Sequence, residues 1–109
     1  MELKDQIEPD EVVELLRLRD EGKADFILVD VRELDEYETS HIKGTDYLIP
    51  TGTFERDVRK ISGFKDKNII VYCRASRRSL IYQNILKDMG YKHVSNMKIG
   101  IIGYTGEKE

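Results

Sequence analysis

The residues best suited to chemistry lie together in one short stretch of the chain, residues 73–79. It begins with Cys73, the only cysteine, and Arg74, Arg77 and Arg78 follow within five residues. A deprotonated cysteine is a strong nucleophile, and neighbouring cations favour the deprotonated form. The pattern therefore predicts a nucleophilic cysteine in positively charged surroundings that attract an anionic substrate. The alternative is a buried cysteine that serves as a small apolar side chain.

The sequence on either side of Cys73 predicts a strand before it and a helix after it. Residues 68–72 are mostly apolar and rich in β-branched side chains, which is typical of a short buried strand. Residues 80–89 are amphipathic, with apolar residues at helical spacing: Ile81, Ile85 and Met89. Free helix amides and the helix dipole favour an anion where such a helix begins. We therefore expect the thiol to lose its proton more readily than a free cysteine, whose pKa is about 8.5.

The remaining segments alternate between strand and helix patterns. We predict a strand near Ile7 and further strands over 26–31, 47–49 and 94–97, with helices from Pro9 to a stop at Gly22, over 33–39 and over 54–61. A last turn is expected to cover the core with Ile99, Ile101 and Ile102, and residues 105–109 are expected to fray. The alternation predicts an α/β fold, one domain over residues 1–109, with about five strands in a mainly parallel sheet flanked by helices.

The composition argues against several classes of protein. The formal net charge is −3 at pH 7, which disfavours general affinity for nucleic acid. No apolar stretch is long enough to cross a bilayer and no signal peptide opens the sequence, so we expect a cytoplasmic protein without a membrane partner. A single cysteine excludes an internal disulfide, and the two histidines lie far from it in the sequence, so no zinc site is expected.

Charged residues flank the end of the predicted second strand. Asp30 and Arg32 lie where a functional group could act, but buried charges are usually paired, so we expect them to bind each other or the nearby backbone and to brace the loops. Most of the acidic side chains of residues 33–39 are expected to face solvent, with Glu33 as a candidate to reach the site. His41 would suit a Cys/His pair, yet amides and arginines stabilise a thiolate without a base, so we expect a structural role for it.

These motifs together resemble those of the single-domain rhodaneses. Residues 73–79 are similar to the active-site loop of that family, Cys-Arg-x-Gly-x-Arg-Ser. Similar signatures lie upstream and downstream, at Asp30-Val31-Arg32, Glu36-Tyr37, His41-Ile42-x-Gly44, Ile49-Pro50, Gly90-Tyr91 and Gly100. The resemblance extends from Ile7 to Tyr104 in the same order and spacing. It implies a rhodanese-like three-layer fold and places His41 in a structural turn.

The resemblance also implies a function, the transfer of a sulfane sulfur. Cys73 would take the outer sulfur of thiosulfate or of another persulfide, and the Cys73 persulfide would pass it to cyanide or to a thiol, including the thiol of a partner protein. Loop amides would hold the anionic persulfide, and the loop arginines would attract the anionic donor. The residues predicted to bind substrate are Arg74, Ala75, Ser76, Arg77, Arg78 and Ser79. No cofactor is implied.

Two other functions stay open. Phosphatases and arsenate reductases of a related fold use Cys-x5-Arg, whereas here four residues separate Cys73 from Arg78, which makes a tight loop for a tetrahedral oxyanion. The second is a sulfur carrier or regulatory binding module with weak catalysis, because Ser76 and Ile99 replace glycines of the family. If the loop keeps its geometry, Ser76 adopts a left-handed backbone, and the resulting strain predicts faster sulfur transfer in Ser76→Gly. The opposite alternative is that its hydroxyl donates to the persulfide or caps the following helix.

Overall fold

The structure is a computed structural model, and it describes residues 2–109. Its strands are β1 Gln6–Ile7, β2 Ile27–Asp30, β3 Tyr47–Leu48, β4 Asn68–Tyr72 and β5 His93–Met97. They form one five-stranded sheet in the order β1-β5-β4-β2-β3. Every neighbouring pair is parallel, which confirms the predicted sheet. Because β4 lies in the middle of this order, the residue that follows it is placed at the centre of one sheet edge.

Four helices connect the strands: α1 Pro9–Asp20, α2 Leu34–Thr39, α3 Phe54–Asp57 and α4 Arg77–Asp88. α1 begins at Pro9 as predicted, and Glu8 and Glu11 form a capping box before it. The predicted helix over 54–61 is instead the short α3 followed by a 3-10 turn, Val58–Ile61, in which the backbone tightens. Within residues 2–109, none of these helices is long and apolar enough to cross a membrane. A cytoplasmic location stays a prediction.

Side chains of the sheet pack into two apolar clusters, one on each face. On one face Val71 of β4 packs in a cluster with Leu86 of α4. On the other face Ile70, its neighbour in the strand, packs in a cluster with Val12 of α1. Successive residues of a strand point to opposite faces, so β4 supplies both clusters. α1 therefore covers one face and α4 the other, which gives the three layers of the fold.

α4 turns to the core a different face from the one that carries Ile81, Ile85 and Met89. Those residues are largely exposed: Ile81 by 55%, Ile85 by 37% and Met89 by 39%. The buried residues of the helix, at the same kind of spacing, are Ser79, Tyr82, Gln83 and Leu86. Gln83 fits the core because its amide donates to the backbone carbonyls of Asp5 and Val94, both at 2.9 Å. Hydropathy alone does not register such hydrogen bonds, so the apolar spacing indicated a helix here without identifying its buried face.

The last residues of the chain also differ from the prediction. Ile101 is buried, but Ile99 and Ile102 are exposed, so one of these three side chains covers the core. Residues 107–109 are not frayed, because they pair in antiparallel fashion with residues 41–43 through an isolated bridge and backbone hydrogen bonds of 2.9, 3.0 and 2.7 Å. The two segments are far apart in the sequence, so local composition gave no sign of this pairing.

Candidate active site

Cys73 lies where the sequence predicted, directly after β4 and shortly before α4. Its side chain is buried, with 1% exposed, and its thiol is free of any disulfide. The segment after β5 holds the loop backbone: the Ile101 amide donates to the Cys73 carbonyl at 2.9 Å, and the Ile102 amide donates to the Arg74 carbonyl at 3.1 Å. The thiol is therefore fixed at the carboxyl edge of the sheet, where open α/β sheets bind ligands.

Two groups of one residue, Ser79, donate hydrogen bonds to the Cys73 sulfur. Its backbone amide and its hydroxyl each lie 3.4 Å from Sγ, and the residue is fully buried in the first turn of α4. The hydroxyl also lies 3.1 Å from the carbonyl oxygen of Ser76. Both groups of Ser79 are donors, so both can bind a sulfur that carries negative charge. The sequence predicted the amide but not the hydroxyl, and the roles predicted for the amides from Ala75 onward stay predictions.

Ser76 adopts the left-handed backbone that was expected for a residue in the place of a glycine. Its φ is 81° and its ψ is −21°, a conformation that costs a non-glycine residue about 1–3 kcal/mol. The side chain does not cap α4, so the capping alternative is wrong. The hydroxyl oxygen accepts a hydrogen bond of 2.9 Å from the side-chain amide of Asn96 instead. Ile99, in the place of the other glycine, also has a positive φ of 68°.

The three arginines of the loop have different surroundings. Arg74 and Arg77 are exposed. Arg78 binds the carboxylate of Glu36 with both ends of its guanidinium, at 2.7 and 2.9 Å. The expectation that the acidic side chains of residues 33–39 face solvent is therefore wrong for Glu36. The pair joins α2 to the loop after Cys73, and it offsets much of the positive charge that Arg78 was predicted to contribute.

The ion pair predicts how stability changes in acid. Hydrogen bonds from Arg78 lower the pKa of Glu36 to about 2, against the opposing effect of burial, whereas an unfolded glutamate has a pKa of about 4.3. A depressed native pKa contributes stability that is present above the unfolded value and is lost as pH falls toward the native value. We expect the stability advantage of the wild type over Glu36→Gln to shrink as pH falls from about 5 to about 2.

Urea unfolding midpoints at a series of pH values measure this advantage. Glu38→Gln is the matched control, because Glu38 is an exposed glutamate on the same helix. An advantage over Glu36→Gln that stays constant with pH would contradict the assignment of the pair.

Asp30 and Arg32 bind each other, as the sequence predicted, and both are buried. Guanidinium nitrogens Nε and Nη2 donate to the carboxylate oxygens at 3.1 and 2.8 Å, and the backbone amide of Arg32 donates to Oδ1 at 2.8 Å. Nη2 also donates to the carbonyl of Ser40 at 2.6 Å. The pair thus ties the end of β2 to the end of α2, the helix that carries Glu36.

His41 occupies a structural turn, as expected. Its Nδ1 lies 3.0 Å from the carbonyl oxygen of Tyr37, and its ring stacks on the Tyr37 ring with centroids 3.8 Å apart. Its Nε2 lies 3.4 Å from the carboxylate of Glu109. These contacts hold the turn after α2 against the paired last residues of the chain.

Gly100 is the position where the closing segment touches the Cys73 loop most tightly. A Cβ atom there would lie 2.3 Å from the Arg74 carbonyl oxygen and 2.7 Å from the Ala75 nitrogen, and φ is +79°. Backbone atoms cannot move aside as a flexible side chain can. A positive φ alone costs a non-glycine residue about 1–3 kcal/mol. We expect Gly100→Ala to lower the free energy of unfolding by more than this, because its Cβ would also meet the loop backbone.

Gly22→Ala is the matched control, because Gly22 has a φ of +74° and its Cβ would meet nothing within 4 Å. Urea unfolding compares the two variants. Equal losses of stability would show that close approach to the loop adds nothing to the conformational cost.

A groove of about 410 Å³ opens beside the loop, between α2 and the closing segment. Its lining combines charged and apolar side chains, among them Arg32, Glu36, Arg74, Ile101, Ile102 and Lys108. Arg74 links the groove directly to the Cys73 loop. A ligand in this groove would therefore meet charges of both signs and an apolar surface, beside the residue that follows Cys73.

The comparison with protein families gives one match over most of the chain. A family model described as Rhodanese-like domain matches residues 11–107. The solution structure of the rhodanese-like domain of the Alr3790 protein from Anabaena superposes with a TM-score of 0.81 and 24% identity, over 98% of this chain and 80% of that one. At this identity the superposition shows the likeness of the fold alone.

Two relatives have names that concern sulfur. The protein of Schizosaccharomyces pombe named "Putative thiosulfate sulfurtransferase, mitochondrial" is 36% identical over 102 residues, which cover 84% of this chain and 66% of that protein. The "Putative sulfur carrier protein YrkF" of Bacillus subtilis is 30% identical over 101 residues, which cover 93% of this chain and 53% of that protein. This chain therefore spans between about half and two thirds of the length of these relatives.

Proposed function

This chain belongs to the family of rhodanese-like domains, and we propose that within the family it is a sulfurtransferase that carries a sulfane sulfur on Cys73. The surroundings of the Cys73 sulfur carry the proposal. The sulfur is buried at the end of the central strand, and the amide and hydroxyl of Ser79 both point donors at it from 3.4 Å. Donors arranged around a buried sulfur suit a group that is anionic both before and after it takes up sulfur.

In the first step the Cys73 thiolate attacks the outer sulfur of thiosulfate. A bond forms between the two sulfurs, the sulfur–sulfur bond of thiosulfate breaks, and sulfite leaves with the electron pair. Cys73 is left as a persulfide anion, and no external oxidant or reductant is needed. The exposed Arg74 and Arg77 attract the doubly charged donor. Arg78, already paired with Glu36, holds the loop to α2.

In the second step an acceptor removes the outer sulfur. Cyanide or a thiolate attacks that sulfur, the persulfide bond breaks, and the Cys73 thiolate leaves with the electron pair, which gives thiocyanate or a new persulfide. The groove beside the loop supports a thiol on a larger molecule as acceptor, because Ile101 and Ile102 offer apolar contact and Lys108 offers charge. A partner protein with an exposed thiol is an acceptor of this kind.

A sulfur carrier is the second candidate function. The Bacillus subtilis relative is named a sulfur carrier, and the positive φ of Ser76 and Ile99 strains the loop and the segment behind it. A carrier would take up one sulfur and hold it until a specific partner arrives. A carrier and an enzyme would both take up sulfur from thiosulfate, but a carrier would release that sulfur to cyanide only slowly.

The intact mass of the protein after treatment with thiosulfate tests the proposal. We expect a gain of one sulfur atom that is lost on addition of cyanide or dithiothreitol, with thiocyanate released over many turnovers. Loading without repeated turnover would favour the carrier. Absence of loading, combined with hydrolysis of an aryl phosphate, would contradict both and favour the phosphatase alternative.

A further inference from the structure

A connected series of partly buried side-chain hydrogen bonds runs from α4 through β1 and β5 to the Cys73 loop. Gln6 Nε2 donates to Gln83 Oε1 at 3.0 Å, Asn96 Nδ2 donates to Gln6 Oε1 at 2.9 Å, and the same Nδ2 donates to Ser76 Oγ at 2.9 Å. Gln83 lies at one end of this series of hydrogen bonds, and Ser76, the strained residue of the loop, lies at the other. Four separate segments thus meet in one polar network.

Gln83 fixes which side chain donates and which accepts in every hydrogen bond of this series. Gln83 Nε2 faces the backbone carbonyls of Asp5 and Val94, and carbonyl oxygens only accept, so Gln83 must present its own oxygen to Gln6. Gln6 must then donate to that oxygen and present its oxygen to Asn96. Asn96 must in turn direct its amide nitrogen, with both hydrogens, at Gln6 and Ser76.

The orientation of the Asn96 side-chain amide leaves one of its buried polar atoms without a hydrogen bond within residues 2–109. Its side chain is fully buried, and within residues 2–109 its oxygen Oδ1 has no hydrogen-bond partner. A buried acceptor without a partner is unfavourable. Turning the amide around would bring Oδ1 against the Gln6 oxygen and would remove the donor to Ser76. The network therefore holds Asn96 as a donor to Ser76 even though one of its own atoms is left unsatisfied.

The hydrogen bond from Asn96 determines what the hydroxyl proton of Ser76 can do. The Ser76 oxygen accepts from Asn96, and within the described residues this is the hydrogen bond that its hydroxyl group makes. A hydroxyl can accept and donate at the same time, so the bond from Asn96 uses the Ser76 oxygen and leaves its proton for another acceptor. The same bond ties the Ser76 side chain to β5 while its backbone holds a φ of 81°.

We propose that Asn96 is a positioning residue for sulfur transfer, acting through Ser76. It holds Ser76 in the left-handed conformation and keeps the Ser76 hydroxyl proton free to donate to the anion bound in the loop. This inference rests on the proposed function, and it assigns Ser76 a part in anion binding that a glycine in the same place could not have.

A double-mutant cycle of Asn96→Ala and Ser76→Ala tests the proposal through kcat/KM with thiosulfate. We expect Asn96→Ala alone to lower kcat/KM about tenfold, which corresponds to the loss of one hydrogen bond of about 1.4 kcal/mol. In the Ser76→Ala background, which lacks the hydroxyl, the same change should lower kcat/KM less than about twofold. A tenfold loss in both backgrounds, or in neither, would overturn the proposal.

Ser95→Ala is the matched control for loss of a buried hydrogen bond in the same strand. Ser95 is buried, and its hydroxyl donates its one proton to the carbonyl of Lys4 at 2.6 Å, so it takes no part in the side-chain bonds among Gln83, Gln6, Asn96 and Ser76. We expect this variant to lose stability and to keep its kcat/KM. An equal fall in kcat/KM for Ser95→Ala and Asn96→Ala would show that any weakening of β5 slows the reaction, which would contradict a specific role for Asn96.

The design separates failure of this inference from failure of the proposed function. Wild-type protein that gains a sulfur from thiosulfate supports the function, and the cycle then decides the role of Asn96. If wild-type protein gains no sulfur, the function fails, and the alkylation rate of Cys73 by iodoacetamide in the same four proteins replaces kcat/KM. Coupling between residues 76 and 96 in that rate supports the positioning role, and independent effects overturn it.

Discussion

Replacing Cys73 with serine is expected to abolish both sulfur uptake from thiosulfate and thiocyanate formation. A serine hydroxyl stays protonated at neutral pH and cannot carry a sulfane sulfur as a persulfide does, so both steps of the proposed reaction lose their reacting atom. The fold should survive, because serine is close to cysteine in size and the position is buried next to the hydroxyl and amide of Ser79. Circular dichroism near that of the wild type is therefore expected.

Intact mass and a thiocyanate assay measure these two losses. Because Cys73 is the only cysteine in the sequence, any cyanide-labile sulfur on the wild-type protein reports on this one position. Cys73→Ala is a second variant that removes the polar group altogether and should behave in the same way. Turnover at the wild-type rate in either variant would refute a covalent role for Cys73.

The second large effect is expected for Arg32→Met and concerns stability. The substitution leaves the carboxylate of Asp30, which is fully buried, without the guanidinium that binds it at 2.8 and 3.1 Å. Removing one partner of a buried ion pair costs about 3–5 kcal/mol, because the other charge stays buried and uncompensated. We expect a loss of this size in the free energy of unfolding from urea denaturation.

Arg17→Met is the matched control, since Arg17 forms ion pairs on the exposed side of α1. Exposed pairs contribute about 0–1 kcal/mol. The double variant Asp30→Asn/Arg32→Met removes the uncompensated charge and should regain part of the stability. A loss for Arg32→Met no larger than that for Arg17→Met would show that the buried pair does not brace the loops.

Features set by neighbouring residues could be predicted from the sequence. The strand before Cys73 and the helix after it follow from apolar runs and turn residues over a short stretch of chain. The pairing of Asp30 with Arg32 spans two residues, and the left-handed backbone of Ser76 follows from its place in a loop that relatives build with glycine. In each case the physical cause lies within a few residues of its effect.

Features set by contact between distant segments could not be predicted. Glu36 reads as one of several surface acids until α2 is placed beside Arg78. Asn96 reads as a polar interruption of a strand until β5 is placed beside the loop of Ser76 and beside β1. The buried face of α4 could not be identified for the same reason, because Gln83 becomes a core residue through carbonyls contributed by other segments.

The Ser79 hydroxyl has one proton and two acceptors within reach, the Cys73 sulfur and the Ser76 carbonyl oxygen. A neutral thiol is a weaker acceptor than the Ser76 carbonyl oxygen, whereas an anionic sulfur is a stronger one. In the proposed reaction we therefore expect the proton to turn from the carbonyl to the sulfur whenever the sulfur is anionic, including while the proposed persulfide carries the charge. This response is a rotation about a single C–O bond, a motion as rapid as other side-chain rotations. The loop would thus follow the charge on the sulfur through both steps of the proposed reaction with its backbone at rest.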